Sequence, residues 1–485
     1  MRDLRFHTGL LAGTATLLLS LGAPAHADTL REALTQAYET NPLLQSARAR
    51  QRGTDETVPI ERAAGLPSVT SDTTYTEFVK KSANSFTSPD RVLSAQFQLG
   101  VPIYSGGAVK NAVKAAKTRV EAGQADLRGT ESAIFSQVVA AYMDVILSEA
   151  IVGLRRNQVE VLGVNLQATR DRFEIGDLTR TDVAQSQARL ALAEGDARTA
   201  AANLAAARET YIRLVGTPPG VLAPPPPLPN LPDSAEGAVA IALENNPDLI
   251  AAREDAKAAQ YDVDVAGAGR LPKVSLYSQG GYNDYFGTLG SGVPGADFAQ
   301  SEKSAQVGAR LSLPLFQGGR PAAQRRRAQA FASAAMEAEI GAERDAIAQT
   351  RAAYSSWVAA RELIDSSQVA VDAAELSLEG VRAENTVGNR TILDILNAEQ
   401  ELISAQVRLV TARRNAYVAG FSLLAAMGRA EARDLGLDGG ALYDPQVNYD
   451  RVRGKWFDWD SDPAPEAKAT RTVDTAVQSG EIPGS

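Results

Sequence analysis

Val101-Pro102-Ile103-Tyr104-Ser105-Gly106-Gly107 returns as Leu313-Pro314-Leu315-Phe316-Gln317-Gly318-Gly319, 212 residues further along the chain. Each copy closes an alternating stretch and opens a long proline-free one. Upstream of the first copy, Leu93, Ala95, Phe97, Leu99, Val101 and Ile103 alternate with Ser94, Gln96, Gln98, Gly100 and Pro102. Upstream of the second, Ala305, Val307, Ala309, Leu311, Leu313 and Leu315 alternate with Ser304, Gln306, Gly308, Arg310 and Ser312. A period of two with one apolar side predicts strands of about 12 residues, long enough to cross a thin hydrocarbon layer at a tilt. Residues 68–79 and 273–282 supply their partners, giving four strands as two β-hairpins. A soluble β-sandwich edge has the same pattern. If the strands sit in lipid, four are too few, because a membrane barrel needs at least about eight. Several chains must then share one barrel.

Downstream, residues 103–217 and 322–444 hold no proline, although the chain has 23. Proline costs about 3 kcal/mol inside a helix, so its absence over such lengths predicts continuous helix. Each tract has one break, at Gly176 and at Gly388, with Thr179 and Thr391 following as N-cap or first-turn residues. The prediction is a pair of helix hairpins, 108–173 with 179–216 and 321–385 with 391–428. Their long arms span about 100 Å and their short arms about 57 Å. Helices over 30–64 and 233–269, about 52 Å each, make up the difference end to end. Such lengths need a sheath of neighbouring helices.

Other landmarks repeat as well. Asn41-Pro42 and Leu66-Pro67 recur as Asn246-Pro247 and Leu271-Pro272, 205 residues on. Ala141-Tyr142, Gly176, Asp182 and Gly216 recur as Ala353-Tyr354, Gly388, Asp394 and Gly428, 212 residues on. A constant offset over this span marks a duplication. The expected layout is a first repeat over 28–216, a Pro-rich linker over 217–232, a second repeat over 233–437, and a partly disordered C-terminal tail over 438–485. The tail carries an isolated aromatic cluster, Trp456, Phe457 and Trp459. Gly290-Ser291-Gly292-Val293-Pro294-Gly295 fits G-x-G-x-x-G. It lacks the preceding strand and following helix of a dinucleotide site, and reads as the extra loop of the second repeat.

The chain has 485 residues, 49 Lys+Arg, 58 Asp+Glu, two His and no Cys, for a net charge of −9. Residues 1–27 read as a signal peptide, with Arg2 and Arg5 ahead of an apolar run and Ala25-His26-Ala27 at the cleavage site. Both histidines, His7 and His26, fall in it. The mature chain would lack His and Cys, which excludes cysteine nucleophiles, histidine bases, disulfides and nearly all zinc, haem or iron–sulfur ligation. The expectation is no enzyme, no metal and no cofactor. An acidic chain also argues against nucleic acid as a partner. Beyond residue 27 no apolar stretch approaches the length of a membrane helix, so any entry into a membrane is expected to fall to the strands.

Taken in order and twice over, Leu30-Arg31-Glu32-Ala33-Leu34, Asn41-Pro42, Leu66-Pro67, Pro102-Ile103-Tyr104-Ser105-Gly106-Gly107 and Val387-Gly388-Asn389-Arg390-Thr391-Ile392-Leu393-Asp394-Ile395-Leu396 resemble the TolC family of outer-membrane efflux and secretion ducts. The resemblance covers residues 28 to about 435. It implies a mainly α fold with a membrane β-barrel, in which a homotrimer forms one twelve-stranded barrel continuous with a periplasmic α-helical tunnel. It implies a place in the bacterial outer membrane, in contact with its lipid. Its partners would be a periplasmic adaptor (membrane fusion) protein and an inner-membrane transporter of ABC or RND type. Asp28 stands where lipid-anchored drug-efflux members carry an acylated Cys, so type I protein secretion is favoured over multidrug efflux. From another class, a periplasmic coiled-coil adaptor without a pore is the alternative.

The resemblance also assigns residues. Asp394 matches an aspartate lining the pore constriction, and the family's second acidic ring falls on Asn397. Asp182, Thr181 and Arg390 match an entrance-closing network whose usual tyrosine falls on Asn385. Gly176, Asp177, Leu178, Val387 and Gly388 match the tips that meet the adaptor. The family's C-terminal part packs around the middle of the tunnel, which is where the aromatic cluster is expected to dock. Arg325-Arg326-Arg327, just past the second strand hairpin, fits either the periplasmic rim of the barrel near lipid head groups or a plain solvated helix face.

Overall fold

The computed structural model describes residues 28–485 apart from 82–87, 230, 291–294, 296, 438–441 and 483–485. The signal-like segment 1–27, most of the Gly290 loop and part of the 80–90 loop lie outside the described residues. The first half runs α1 (Leu30–Thr40), α2 (Pro42–Asp55), α3 (Thr57–Ala63), β1 (Ser68–Glu77), β2 (Arg91–Tyr104), α4 (Ala108–Glu174) and α5 (Arg180–Val215). The second runs α6 (Ala235–Asn245), α7 (Pro247–Gly267), β3 (Lys273–Asp284), β4 (Ser301–Ser312), α8 (Arg320–Thr386) and α9 (Ile392–Ala426), with α10 (Pro445–Val452) behind it. Both α4 and α8 have 67 residues, about 100 Å of helix.

The repeated landmarks hold the same joints in each half. The expected helix over 30–64 is broken at Asn41, whose side chain accepts from the N–H groups of Leu43 and Leu44 and so caps α2. Its amide donates to Leu214 O at 3.0 Å, satisfying an orphan carbonyl at the end of α5. Asn246 caps α7 in the same way and donates to Ala426 O at 3.0 Å, at the end of α9. The repeated tyrosine reaches the chain just ahead of the first helix of its own half. Tyr142 Oη lies 2.9 Å from Asp28 O and 2.6 Å from Ala223 O. Tyr354 Oη donates to Asp233 O at 2.8 Å.

The four strands form one antiparallel sheet in the order β1-β2-β3-β4, so the two hairpins join through β2 and β3. The register slips between Pro102 and Tyr104. A proline has no N–H for the ladder, and the bulge falls beside it. Paired residues share a face. One face therefore carries Val69, Phe97, Leu99, Val101, Leu276, Val307, Ala309 and Leu311. The other carries Thr70, Asp72, Gln96, Gln98, Gln279, Gln306 and Arg310. On the apolar face Val69, Phe97, Leu276, Val307 and Leu311 are exposed, Val307 to 81%. A sandwich edge would cover them.

The main core lies where the long hairpins pass the short helices. Leu30, Leu34 and Leu44 meet Phe135, Val138 and Tyr142 of α4, Leu204 and Leu214 of α5, and Phe421 and Leu424 of α9. The expectation that no apolar stretch beyond residue 27 is long enough to cross a membrane is corrected here. Part of α4 has that length and composition. Its Phe135, Val138, Val139 and Val145 are core side chains, fully buried against the other helices. By contrast α8 buries far fewer side chains than α4 and leaves Phe331, Leu363, Val369 and Leu376 exposed.

The tail is held at both ends. In α10, Tyr449 packs with Val58, and Asn448 donates to Asp55 Oδ2 at 2.6 Å. That carries the aromatic cluster to the corner where β1 begins, beside Leu66, Pro67 and Val69, and not to the middle of the helical body. Far along the tail, Arg208 of α5 donates to Ser479 O and Glu481 O, each at 2.8 Å. Arg325 lies in the second turn of α8 beside Gly267, at the strand end of the helices.

Candidate functional site

Two turns, at 175–179 and 387–391, close the long hairpins at the end remote from the sheet, and they are built alike. Gly176 and Gly388 have φ of +85° and +84°, a region that an L side chain enters only under strain. Around the first, Gly176 N–H donates to Phe173 O and Asp177 N–H to Arg172 O. Around the second, Gly388 N–H donates to Asn385 O and Asn389 N–H to Glu384 O. These pairs are Schellman closures of α4 and α8. Three residues after each glycine a threonine starts the return helix with a capping box.

The boxes account for both conspicuous aspartates. Asp182 Oδ2 accepts from Thr179 N–H at 2.8 Å and from its hydroxyl at 2.7 Å. Asp394 Oδ2 accepts from Thr391 N–H at 2.9 Å and from its hydroxyl at 2.8 Å. These bonds favour the charged form and hold both carboxyls below the usual range. Each sits in the first turn of its helix, where the helix dipole also favours an anion.

Within the chain, the proposed closing residues engage their own hairpins. Arg390 Nε donates to Glu384 Oε2 at 2.7 Å, which pushes the guanidinium pKa up. Asn385 donates its amide to Arg390 O at 2.7 Å. Thr181 is exposed on the first turn of α5. In the first hairpin, Arg172 Nε meets Asp177 Oδ2 at 2.7 Å, a tie across that turn. Val387 is exposed to 69%, and Ile175, the equivalent residue of the first hairpin, to 80%.

Of the residues that join the two hairpins, only Asn397 stands out in the sequence as a candidate site residue. Arg189 of α5 donates to Asn397 Oδ1 at 2.8 Å. Glu399 of α9, buried between the hairpins, accepts from Asn165 of α4 at 2.7 Å and from Arg382 of α8 at 3.0 Å. Leu162 and Ala193 of the first hairpin close on Leu396 of the second. These partners lie 200 or more residues apart in sequence across the hairpins, so no local spacing announces them.

The comparisons with known proteins agree with this architecture. The model of the outer membrane efflux protein family matches residues 33–217 and 238–429, once per repeat. The chain is 34% identical over 449 residues to the outer membrane efflux protein BepC of Brucella suis, covering 92% of this chain and 94% of that protein. It is 29% identical over 319 residues, 64% of each chain, to the alkaline protease secretion protein AprF of Pseudomonas aeruginosa. Among solved structures, the outer membrane protein VceC of Vibrio cholerae superposes with a TM-score of 0.70 at 24% identity, covering 82% of this chain and 96% of that one.

Proposed function

Because the chain belongs to the outer membrane efflux protein family, we propose that it works as a homotrimeric exit duct, fed by an inner-membrane transporter of ABC or RND type through a periplasmic adaptor protein. The protein is an outer-membrane channel and not an enzyme. The observation that supports assembly from several copies is the sheet, and the number three is what the family implies. Four strands with one apolar, uncovered face have open edges at β1 and β4. Backbone groups cannot be left unpaired in hydrocarbon, so the edges must pair with further copies. The exposed apolar side chains of α8 ask for a neighbour as well.

In this reading the repeats 28–216 and 233–437, joined by 217–232, give each subunit two tunnel hairpins. Three Asp394 carboxylates ring the periplasmic constriction, with Asn397 one turn further in. Asp182, Thr181, Arg390 and Asn385 close the entrance between hairpins. Gly176, Asp177, Leu178, Val387 and Gly388 meet the adaptor, and the exposed Ile175 joins them. The cargo favoured is protein, by type I secretion: Asp28 offers no acylation site, and AprF is a protease secretion protein by name. Small-molecule efflux is the second reading, supported by the likeness to BepC.

Single-channel recording in planar bilayers tests the duct. The trimer should conduct with cation preference, and Asp394→Asn should reduce it. An unchanged reversal potential in a salt gradient would remove Asp394 from the pore. Comparing secreted protein and drug sensitivity in a deletion strain separates the two cargoes.

A further inference from the structure

Two of the three tryptophans, Trp456 and Trp459, are exposed to 75% and 86%, with Phe457 between them. Apolar area of this size left in water is unfavourable unless something covers it. The local structure pairs the charges with one another and leaves the rings exposed. Arg451 grips both carboxylate oxygens of Asp462, at 2.7 and 2.8 Å. Lys455 Nζ lies 2.9 Å from Asp460 Oδ2, and Arg453 Nε 3.1 Å from Asp450 Oδ1. Asp460 N–H donates to Phe457 O at 3.2 Å, closing the turn. Trp456 and Phe457 meet edge to face, their centroids 6.4 Å apart.

The loop's position is fixed by α10. Tyr449 packs with Val58 of α3, and Arg62 donates to Arg453 O at 3.1 Å. The rings therefore stand over the α3–β1 corner and line, with Ile60, Pro67 and Val69, a groove of about 750 Å³. Ile60 and Val69 are themselves exposed. Val69 opens the apolar face of the sheet, so the patch continues the surface that meets lipid. It lies at the end where the strands give way to the helices, which is the periplasmic end. Indole rings combine a large apolar body with one N–H donor and concentrate at membrane–water interfaces.

We propose that residues 455–462 form an interfacial anchor, which sets Trp456 and Trp459 into the head-group layer of the outer membrane's periplasmic leaflet. The groove over Ile60 and Val69 takes phospholipid. The anchor fixes the height of the barrel in the bilayer and ties the tail to it. Its basic residues are already paired with aspartates, so zwitterionic lipid suffices.

Tryptophan fluorescence of the full chain in phospholipid vesicles tests this, with acyl chains unbrominated or brominated. Trp357→Phe with Trp459→Phe reports Trp456, and Trp357→Phe with Trp456→Phe reports Trp459. Trp456→Phe with Trp459→Phe leaves Trp357, which packs beside Tyr354 on α8 and serves as control. Bromine near the head groups should quench Trp456 and Trp459 well beyond the change seen for Trp357, since interfacial rings sit at head-group level. Trp357 should be unaffected. Bromine deeper in the chains should quench the first two less. If Trp456 and Trp459 emit to the red and unquenched, the loop is in water and the proposal fails. If they emit to the blue and unquenched, a neighbouring subunit covers them, and the proposal fails equally.

Discussion

Asn165 of α4 donates to the carboxylate of Glu399 of α9 at 2.7 Å, and that carboxylate is only 6% exposed. One bond thus joins the two hairpins inside their seam, with Arg382 of α8 on the same oxygen at 3.0 Å. Removing one partner of a buried polar contact costs about 1–3 kcal/mol, because the others stay desolvated. Glu399→Ala should therefore loosen the seam and lower the melting temperature, whereas Glu399→Gln, which keeps an acceptor, should lose less. Hydrogen exchange near the tips should show the difference. Equal protection in both variants would mean that the carboxylate is not what holds the hairpins together.

The joints at the other end of the short helices give a graded series. A Cβ on Gly428 would lie 2.2 Å from Asn245 O, at a φ of +69°. A Cβ on Gly388 meets nothing within 4 Å, so that substitution carries only the backbone strain of its positive φ. Gly428→Ala should destabilise by several kcal/mol, since backbone must move, and Gly388→Ala by about 1 kcal/mol. Thermal melts of the two variants should rank in that order.

The long elements were legible because each rests on a repeated local signal. Proline-free tracts gave α4, α5, α8 and α9 to within a residue or two, and alternation gave the strands, although β4 stops at Ser312, short of Leu313 and Leu315. Asn41 and Asn246 stood out as a repeated dipeptide, but their double duty, capping one helix and finishing another, needs the third dimension. The Thr-x-x-Asp boxes at both tips were present in the sequence as a local cap signal. The seam was not: Glu399, Asn165, Arg382 and Arg189 look like ordinary solvated helix residues until the hairpins are placed side by side. The aromatic cluster of the tail was visible as composition, yet its position depends on where α10 packs.

The tail gives a prediction of its own. A Cβ on Gly480 would fall 2.2 Å from Ala201 O, so the docked end approaches α5 too closely for a side chain. Gly480→Ala should release residues 478–482 from Arg208 and expose them to limited proteolysis, with the helical body intact. Arg208→Lys should do the same in part, because a lysine cannot bond both carbonyls and Glu149 in one plane. If the tail of Gly480→Ala is cut no faster than that of the wild type, the docking is not a stable contact in solution.

The capping boxes make the tips sensitive to acid. Thr179 and Thr391 hold Asp182 and Asp394 below the usual carboxyl range. A carboxyl lowered by folding adds stability above its unfolded pKa and loses it as pH falls through the folded one. The caps are then complete at neutral pH and fray below about pH 4. Thr391→Ala removes the hydroxyl donor and should cost about 1 kcal/mol of local helix stability at pH 7. Hydrogen exchange at 392–395 checks it: the gap between variant and wild type should shrink as pH drops through that window.

The final prediction concerns ion selectivity at the entrance. Three Asp394 carboxylates in a constriction would concentrate cations and titrate as a coupled set. In the proposed trimer the next ring would be Asn397, and Asn397 accepts from the guanidinium of Arg189 at 2.8 Å. A fixed positive charge one turn from the carboxylate ring should offset part of its field. Arg189→Ala should therefore raise cation preference, while Asp394→Asn lowers it. Asn397→Asp alone should change selectivity little, because the new carboxylate pairs with Arg189. Combined with Arg189→Ala, it should add a second acidic ring and strengthen block by multivalent cations from the periplasmic side. Arg390→Ser has two effects, since Arg390 ties Glu384 within its own hairpin and its charge also acts on Asp394; conductance should rise through a looser tip, and cation preference should rise with it. Reversal potentials across this set decide the assignment. A shift of the same sign for Arg189→Ala and Asp394→Asn would show that the two residues do not face one lumen.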